Sequence, residues 1–192
     1  MNYIPCVQKE SSMGIQCVPI TDELLLHRVV QLDDAIDAAT ASIINGQIRH
    51  LAAAGPGQPI TLLINSPGGE ISSGLAIVDT IRLCGCPVIG VCTGVAASMA
   101  AIIFEACSKR QMLPHAEIMI HDPATTGGGG TALSVADQCR RLMDKRDLLA
   151  DILAERTGFN RSQIQLMTEK DFWISAQRAV KENFADEILT SL

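Results

Sequence analysis

The chain has 192 residues, 47% of them hydrophobic, 19% charged and only 3% aromatic, with a mean hydropathy of +0.23, a composition too apolar and too weakly charged for a disordered chain. The 21 acidic against 15 basic residues leave a formal charge of −6; with so few aromatics there is neither the basic stripe nor the stacking platforms of a nucleic-acid binder. One domain is expected over 1–192, long enough to bury roughly 70% of its unfolded surface, so folding requires neither disulfide nor metal.

Residues 1–17 are polar and weakly patterned and read as an arm or loop. No basic stretch followed by a long apolar run opens the chain, so no secretory leader is expected and a reduced, cytoplasmic setting is the simplest. The seven cysteines (Cys6, Cys17, Cys84, Cys86, Cys92, Cys107, Cys139) fit that setting. Their number is odd, several lie in apolar runs, and Cys84-Gly-Cys86 lacks the spacing and the second pair of a zinc site. Leu24–Leu32 carries a short strand signal. A helix is predicted from Asp33 or Asp34, with Ile36, Ile43, Ile44, Ile48 and Leu51 forming its stripe and Gly55-Pro-Gly57 its stop. Ile60–Ile64 reads as a strand buried on both faces. Asn65-Ser-Pro-Gly-Gly69 is turn chemistry, and Ile71–Leu83 is predicted to be helical. Pro87–Cys92 reads as a second buried strand, Thr93-Gly94 as a turn and Ala97–Cys107 as a helix.

Gln111–Leu113 and Glu117–Ile120 are two further short strands. After the glycine-rich Ala124–Thr131, Leu133–Arg156 is predicted to be the longest helix, stopped by Thr157-Gly158. Asn160 caps a short helix through Met167, Ser175–Asn183 is another helix, and Asp186–Leu189 closes as strand or helix end. From Leu83 to Phe104 no residue is charged, a length that could span a bilayer. Gly85, Pro87, Gly90 and Gly94 break it into strand, turn and helix, so a buried core is expected and no membrane span. Strands alternating with helices predict an α/β fold with largely parallel pairing.

Three places could hold chemistry. Gly94-Val-Ala-Ala-Ser98-Met99 lies where a strand gives way to a helix. A serine there sits near unpaired backbone N–H groups, which stabilise a negative oxygen on a tetrahedral carbon; the plainer alternative is a hydroxyl that caps a core helix. The paired glycines of Asn65–Gly69 let a backbone N–H face a ligand, or simply make a strand-to-helix turn. Met119-Ile-His121-Asp122-Pro123 places a histidine at the end of a strand, where α/β sheets present their ligands. Asp122 faces the opposite side from its neighbour, so a more distant carboxylate is needed, with Asp171 and Asp186 as the candidates. His27, His50 and His115 read as solvated.

These segments together resemble the Clp protease proteolytic subunit (ClpP) family. Ile64-Asn-Ser-Pro-Gly-Gly69, Gly94-Val-Ala-Ala-Ser-Met99, Leu113-Pro with Met119-Ile-His121, Leu153-Ala-Glu-Arg-Thr-Gly158 and Lys170-Asp-Phe-Trp-Ile-Ser-Ala176 stand in the family's order at similar spacing, and the likeness runs from about residue 4 to 190. The resemblance implies a ClpP/crotonase-like superfold of stacked βαβ units with a protruding strand-helix handle at 124–156 and an axial arm at 1–17. It implies an ATP-dependent, self-compartmentalising serine endopeptidase that degrades unfolded proteins to short peptides. Ser98 would be the nucleophile, His121 the general base and Asp171 the carboxylate that holds the imidazole, with the backbone N–H groups of Gly69 and Met99 as oxyanion hole. No metal or cofactor is expected on this chain, ATP being used by the partner. The implied partners are further copies of the chain, in heptameric rings stacked as a tetradecamer, and an AAA+ unfoldase such as ClpX or ClpA/ClpC.

The chain departs from the family pattern at named positions. His121 is followed by Asp122 instead of glutamine, and Lys170 stands where an arginine commonly bridges rings. Ala132-Leu-Ser134 replaces a frequent aspartate, Leu63 replaces an aromatic of the unfoldase-docking pocket, and Gly127–Gly130 gives four successive glycines. These departures suggest a divergent second-type subunit, idle until a partner subunit or the ATPase activates it. A crotonase-like acyl-CoA enzyme is the rival on the same superfold.

Overall fold

The computed structural model describes residues 5–12, 14–125, 127 and 129–191. The chain opens with β1 (Cys6–Ser11) and β2 (Gly14–Pro19), an antiparallel hairpin that pairs Val7 with Val18 and Lys9 with Gln16. The expected arm is therefore a hairpin in its described part; residues 1–4 and 13 lie outside the described residues. Next come α1 (Ile20–Leu26) and β3 (Val29–Leu32), so only the second half of Leu24–Leu32 is strand. Arg28, with a left-handed φ of 63°, separates the two. Its guanidinium donates to the carbonyls of Leu51, Gly55, Gln58 and Pro59, which offsets the strain and anchors the end of the following helix.

That helix, α2 (Ala38–Ala54), starts at Asp37, whose carboxylate accepts from the Thr40 N–H at 2.8 Å, and not at Asp33 or Asp34. Ile44, Ile48 and Leu51 form its buried stripe, Ile43 is 60% exposed, and Ile36 lies before the helix in a bridge to Gly69. Then follow β4 (Ile60–Ser66), α3 (Ile71–Leu83), β5 (Val88–Ala97), α4 (Met99–Ala106), β6 (Lys109–Met112), β7 (Glu117–Ile120), α5 (Ala132–Ala154), α6 (Arg161–Met167), β8 (Phe172–Ser175), α7 (Ala176–Lys181) and β9 (Glu187–Ile188). The uncharged stretch 83–104 is divided between β5 and α4, and no helix of the described residues is long and apolar enough to cross a membrane. Among the described residues between Ala124 and Gly130 no strand forms, and α5 supplies the helix of the expected handle.

The main sheet runs β3-β4-β5-β6-β9, all parallel, with β7 also parallel to β5 and β8 antiparallel to β7. This is the α/β fold with interleaved helices that the ClpP/crotonase superfold implies. The predicted turn at Thr93-Gly94 is instead a bulge within a ten-residue β5. Ile64 pairs with Cys92 and Ser66 with Ala96, so two steps along β4 match four along β5. Asn65 fixes the bulge by accepting from the Val95 N–H at 3.1 Å, and a side chain at Gly94 would collide with its Oδ1. Past the bulge β5 exchanges one neighbour for another, pairing β6 through Ile89–Cys92 and β7 through Val95–Ala97. Ile60, Leu62, Ile64, Cys92 and Ala96 are inaccessible beneath α3 and α4, and Phe104, Met99 and Ile103 complete that core.

Candidate active site

Strand register alone brings the three predicted side chains to one place. Ala97 pairs with Met119, and the Ser98 N–H donates to the Met119 carbonyl at 2.8 Å, so Ser98 and His121 both stand just beyond the same end of the β5·β7 pair. The antiparallel pairing of Ile120 with Phe172 puts His121 and Asp171 opposite one another one step past the ladder. His121 Nε2 lies 2.9 Å from Ser98 Oγ, a hydrogen bond in either tautomer. His121 Nδ1 lies 3.7 Å from Asp171 Oδ1, beyond hydrogen-bond length, and the Asp171 carboxylate is 66% exposed.

Ser98 occupies the Ncap position of α4 without capping it: its side chain makes no hydrogen bond to the helix. Its backbone, at φ 54° and ψ −121°, is in a region that costs a non-glycine residue on the order of 1–3 kcal/mol. The strain turns the hydroxyl out of the helix axis toward His121, which the capping alternative does not require. Gly68 makes the turn possible, since a Cβ there (φ +90°) would lie 2.5 Å from the Ala97 carbonyl oxygen and 2.7 Å from Ser98 Cβ. Gly69 (φ +154°) lies against Ile36, where a Cβ would meet the Ile36 N at 2.7 Å. Ile36 N–H donates to the Gly68 carbonyl and Glu70 N–H to the Ile36 carbonyl. That bridge uses the peptide groups on either side and leaves the Gly69 N–H on the opposite side. Met99 is the first residue of α4, whose opening N–H groups have no intrahelical acceptor.

Asp186, the other carboxylate candidate, is engaged elsewhere. It pairs with Arg110 through both oxygens, at 2.6 and 2.7 Å, and Arg110 also holds Glu105 at 2.5 Å. Partial burial works to raise the Asp186 carboxyl, but hydrogen bonds from Arg110 outweigh it and hold the group below its ordinary range. Burial raises the Glu105 carboxyl to about 8, against the attraction of Arg110. His27, His50 and His115 are exposed. Among the described residues, no group of three His, Cys, Asp or Glu side chains gathers to hold a metal ion.

A family model described as Clp protease matches residues 11–192. The chain belongs to the Clp protease family. Members of the family are typically serine peptidases and usually form rings with AAA+ partners, and the resemblance read from five short motifs extends over almost the full sequence.

Beside Ser98 and His121 the chain has a cavity of about 310 Å³, walled by apolar side chains of Ile71, Met99, Ile102, Leu153 and Ile164. Leu153 comes from the C-terminal end of α5, where Leu149, Ala150 and Ile152 are buried as well; the first half of that helix is solvent-exposed and presents Leu133, 80% exposed. From the sequence Asp122 is only a carboxylate that faces away from the ring of His121 and stands in place of a glutamine. Its carboxylate in fact accepts from Arg146 Nε at 2.7 Å and from Thr168 Oγ1 at 2.6 Å. An arginine 24 positions away on a helix gave no local signal of that pairing.

Proposed function

We propose that this Clp protease is a serine endopeptidase in which Ser98 attacks, His121 moves the proton, Asp171 orients the imidazole, and the N–H groups of Gly69 and Met99 receive the oxyanion. The observation that carries this reading is the strained Ser98, whose hydroxyl forgoes the helix cap and lies 2.9 Å from His121 Nε2. A serine hydroxyl is a weak nucleophile near neutrality until a neighbouring base takes its proton. As the Oγ–carbon bond forms, that proton passes to Nε2, and the carbonyl oxygen gains charge that the two amides stabilise; one such donor supplies roughly 3–4 kcal/mol. The proton then goes from Nε2 to the leaving amine as the carbon–nitrogen bond breaks. Water repeats the sequence on the acyl-enzyme, giving up its proton to His121 and releasing Ser98. The apolar cavity favours substrates with an apolar side chain next to the scissile bond.

Assembly is part of the proposal. The exposed first half of α5, with Leu133, Val135 and Met143 at its surface, fits contact between copies, here stacked heptameric rings forming a tetradecamer. Enclosure makes broad sequence tolerance safe, because only chains fed in by an ATP-consuming AAA+ unfoldase reach Ser98. This chain would bind no nucleotide, and a cytoplasmic setting suits such a machine. The 3.7 Å separation of His121 from Asp171 supports a resting state that ring stacking or a second subunit type tightens.

The test is labelling by a fluorophosphonate probe, with Ser98→Ala as control. Covalent labelling at Ser98 and cleavage of short fluorogenic peptides are expected from the assembled particle, and from the lone chain only weakly. An unlabelled Ser98 in the presence of unfoldase and partner subunit overturns the peptidase reading in favour of a crotonase-like enzyme. Full activity of the purified chain alone overturns the resting state.

A further inference from the structure

We infer that Asp122 is a positioning residue that holds His121 at its working distance by clamping it to two helices. The inference rests on the peptidase reading above. His121 follows the last residue of β7 and has no strand or helix of its own to fix it. On one side it is held by the Ile120–Phe172 pair. On the other, the Asp122 N–H donates to the Thr168 carbonyl at 2.7 Å, and the Asp122 carboxylate takes one hydrogen bond from Thr168 Oγ1 and another from Arg146 Nε. Arg146 in turn donates to the Gln165 carbonyl at 3.0 Å. The charge next to the base is thus paired with a guanidinium and both its oxygens are occupied.

Thr168 is the C-cap of α6 and stands three residues before Asp171. The clamp therefore fastens the residue after the base to the segment that leads into the orienting carboxylate, and Arg146 adds a tie to α5. His121 and Asp171 lie between two fixed points, the end of the β7·β8 ladder and the Asp122–Thr168 pair. Between those points the two side chains stand 3.7 Å apart. Without the clamp the imidazole keeps its substrate pocket but loses its aim at Ser98, and a displacement near 1 Å at a reacting group costs on the order of 100-fold in rate.

The test compares kcat, KM and fluorophosphonate labelling of Ser98 in assembled particles of wild type, Asp122→Ala, Asp122→Asn, Thr168→Val and Arg146→Gln. For Asp122→Ala, kcat and the labelling rate should both fall by about 10- to 100-fold, with KM within about twofold of wild type, as expected when an interaction serving the transition state alone is lost. Asparagine keeps an acceptor for Arg146 and turns its amide toward Thr168 Oγ1, which donates onward to the Gln165 carbonyl; Asp122→Asn should recover most of the loss. Thr168→Val and Arg146→Gln, each breaking one tie from the other side, should give partial losses of kcat if Asp122→Ala does not assemble. Wild-type kcat in Asp122→Ala, a loss confined to KM, or an asparagine variant no better than alanine overturns the clamp. If the wild-type particle is inert to probe and peptide, the peptidase reading fails, and hydrogen exchange at the Asp122 amide decides the clamp separately. Exchange at least tenfold faster in the alanine variant than in the asparagine variant supports it, and equal exchange overturns it.

Discussion

The serine and the carboxylate of the candidate site are held by opposite means. Ser98 lies between Ala97 and Met99, both buried, at the junction of the longest strand with a helix that is buried from Met99 to Glu105. Its position follows from the β5 register, the Asn65 bulge and the absence of a side chain at Gly68, so displacing it means disturbing the core. Asp171 sits between α6 and β8 on a half-open surface, with no buried neighbour to fix it. A nucleophile needs a strained, fixed backbone, which only a packed core can hold. On the proposed reading the carboxylate at Asp171 is the adjustable member of the site, open to a change on assembly.

Four changes would break or sharpen this contrast. Ser98→Ala removes the proposed nucleophile and should lower kcat by about 10⁴-fold or more while the particle still assembles, read by peptide hydrolysis and sedimentation. Gly68→Ala forces a Cβ against the Ala97 carbonyl and Ser98 Cβ at a left-handed φ. The core cannot yield there, so a loss of kcat of about 100-fold is expected together with a lowered melting temperature. Asp171→Asn should be milder, roughly 10- to 100-fold, because a contact of 3.7 Å, too long for a hydrogen bond, has less to lose than a tight triad, where the same exchange lowers kcat about 10⁴-fold. If the unfoldase-engaged particle shows the larger loss and the resting one the smaller, the adjustable carboxylate is demonstrated; equal losses in both states refute it.

The smallest effect concerns stability and lies away from the site. The Glu105 carboxyl titrates near 8 in the folded chain and near 4.5 when unfolded, so between those values the folded state holds a proton that the unfolded state has released. Its contribution is complete below about pH 4.5 and is lost as pH rises through 8. Melting temperature should therefore decline over that window, and Glu105→Gln should flatten the decline without changing kcat at Ser98. Asp186 acts in another window: its lowered pKa makes its contribution present above about pH 3.8 and lost as the solution becomes more acid.

What could be read from the sequence depended on how local the determining forces are. β4, α3 and α6 followed from apolar runs, turn glycines and the Asn160 capping box, signals carried within a few residues. Ser98, His121 and Asp171 were nominated by strand ends and family likeness, and the register brings them together. The hairpin β1–β2 is largely exposed and so carries no apolar alternation to mark it, while β8 is a strand only by virtue of β7, a partner distant in the chain. The bulge at Thr93–Val95 looked like a turn because its cause is also distant: Gly94 is required by Asn65 across the sheet, not by a reversal of direction. The role of Asp122 was hidden at a separation of 24 residues from Arg146 and 46 from Thr168.

The change of neighbour along β5 restricts how this protein can diverge. Because β6 and β7 are both hydrogen-bonded to that one strand, the four residues Leu113–Ala116 between them form a spacer of fixed span, with Leu113 tied to Cys92 and Ala116 to Leu113. A residue inserted there would slide β7 by one step and rotate the imidazole to the far face of the sheet. Length variants should accordingly accumulate in the glycine tract before α5 and be purged from the spacer, a pattern that random insertion libraries would reveal.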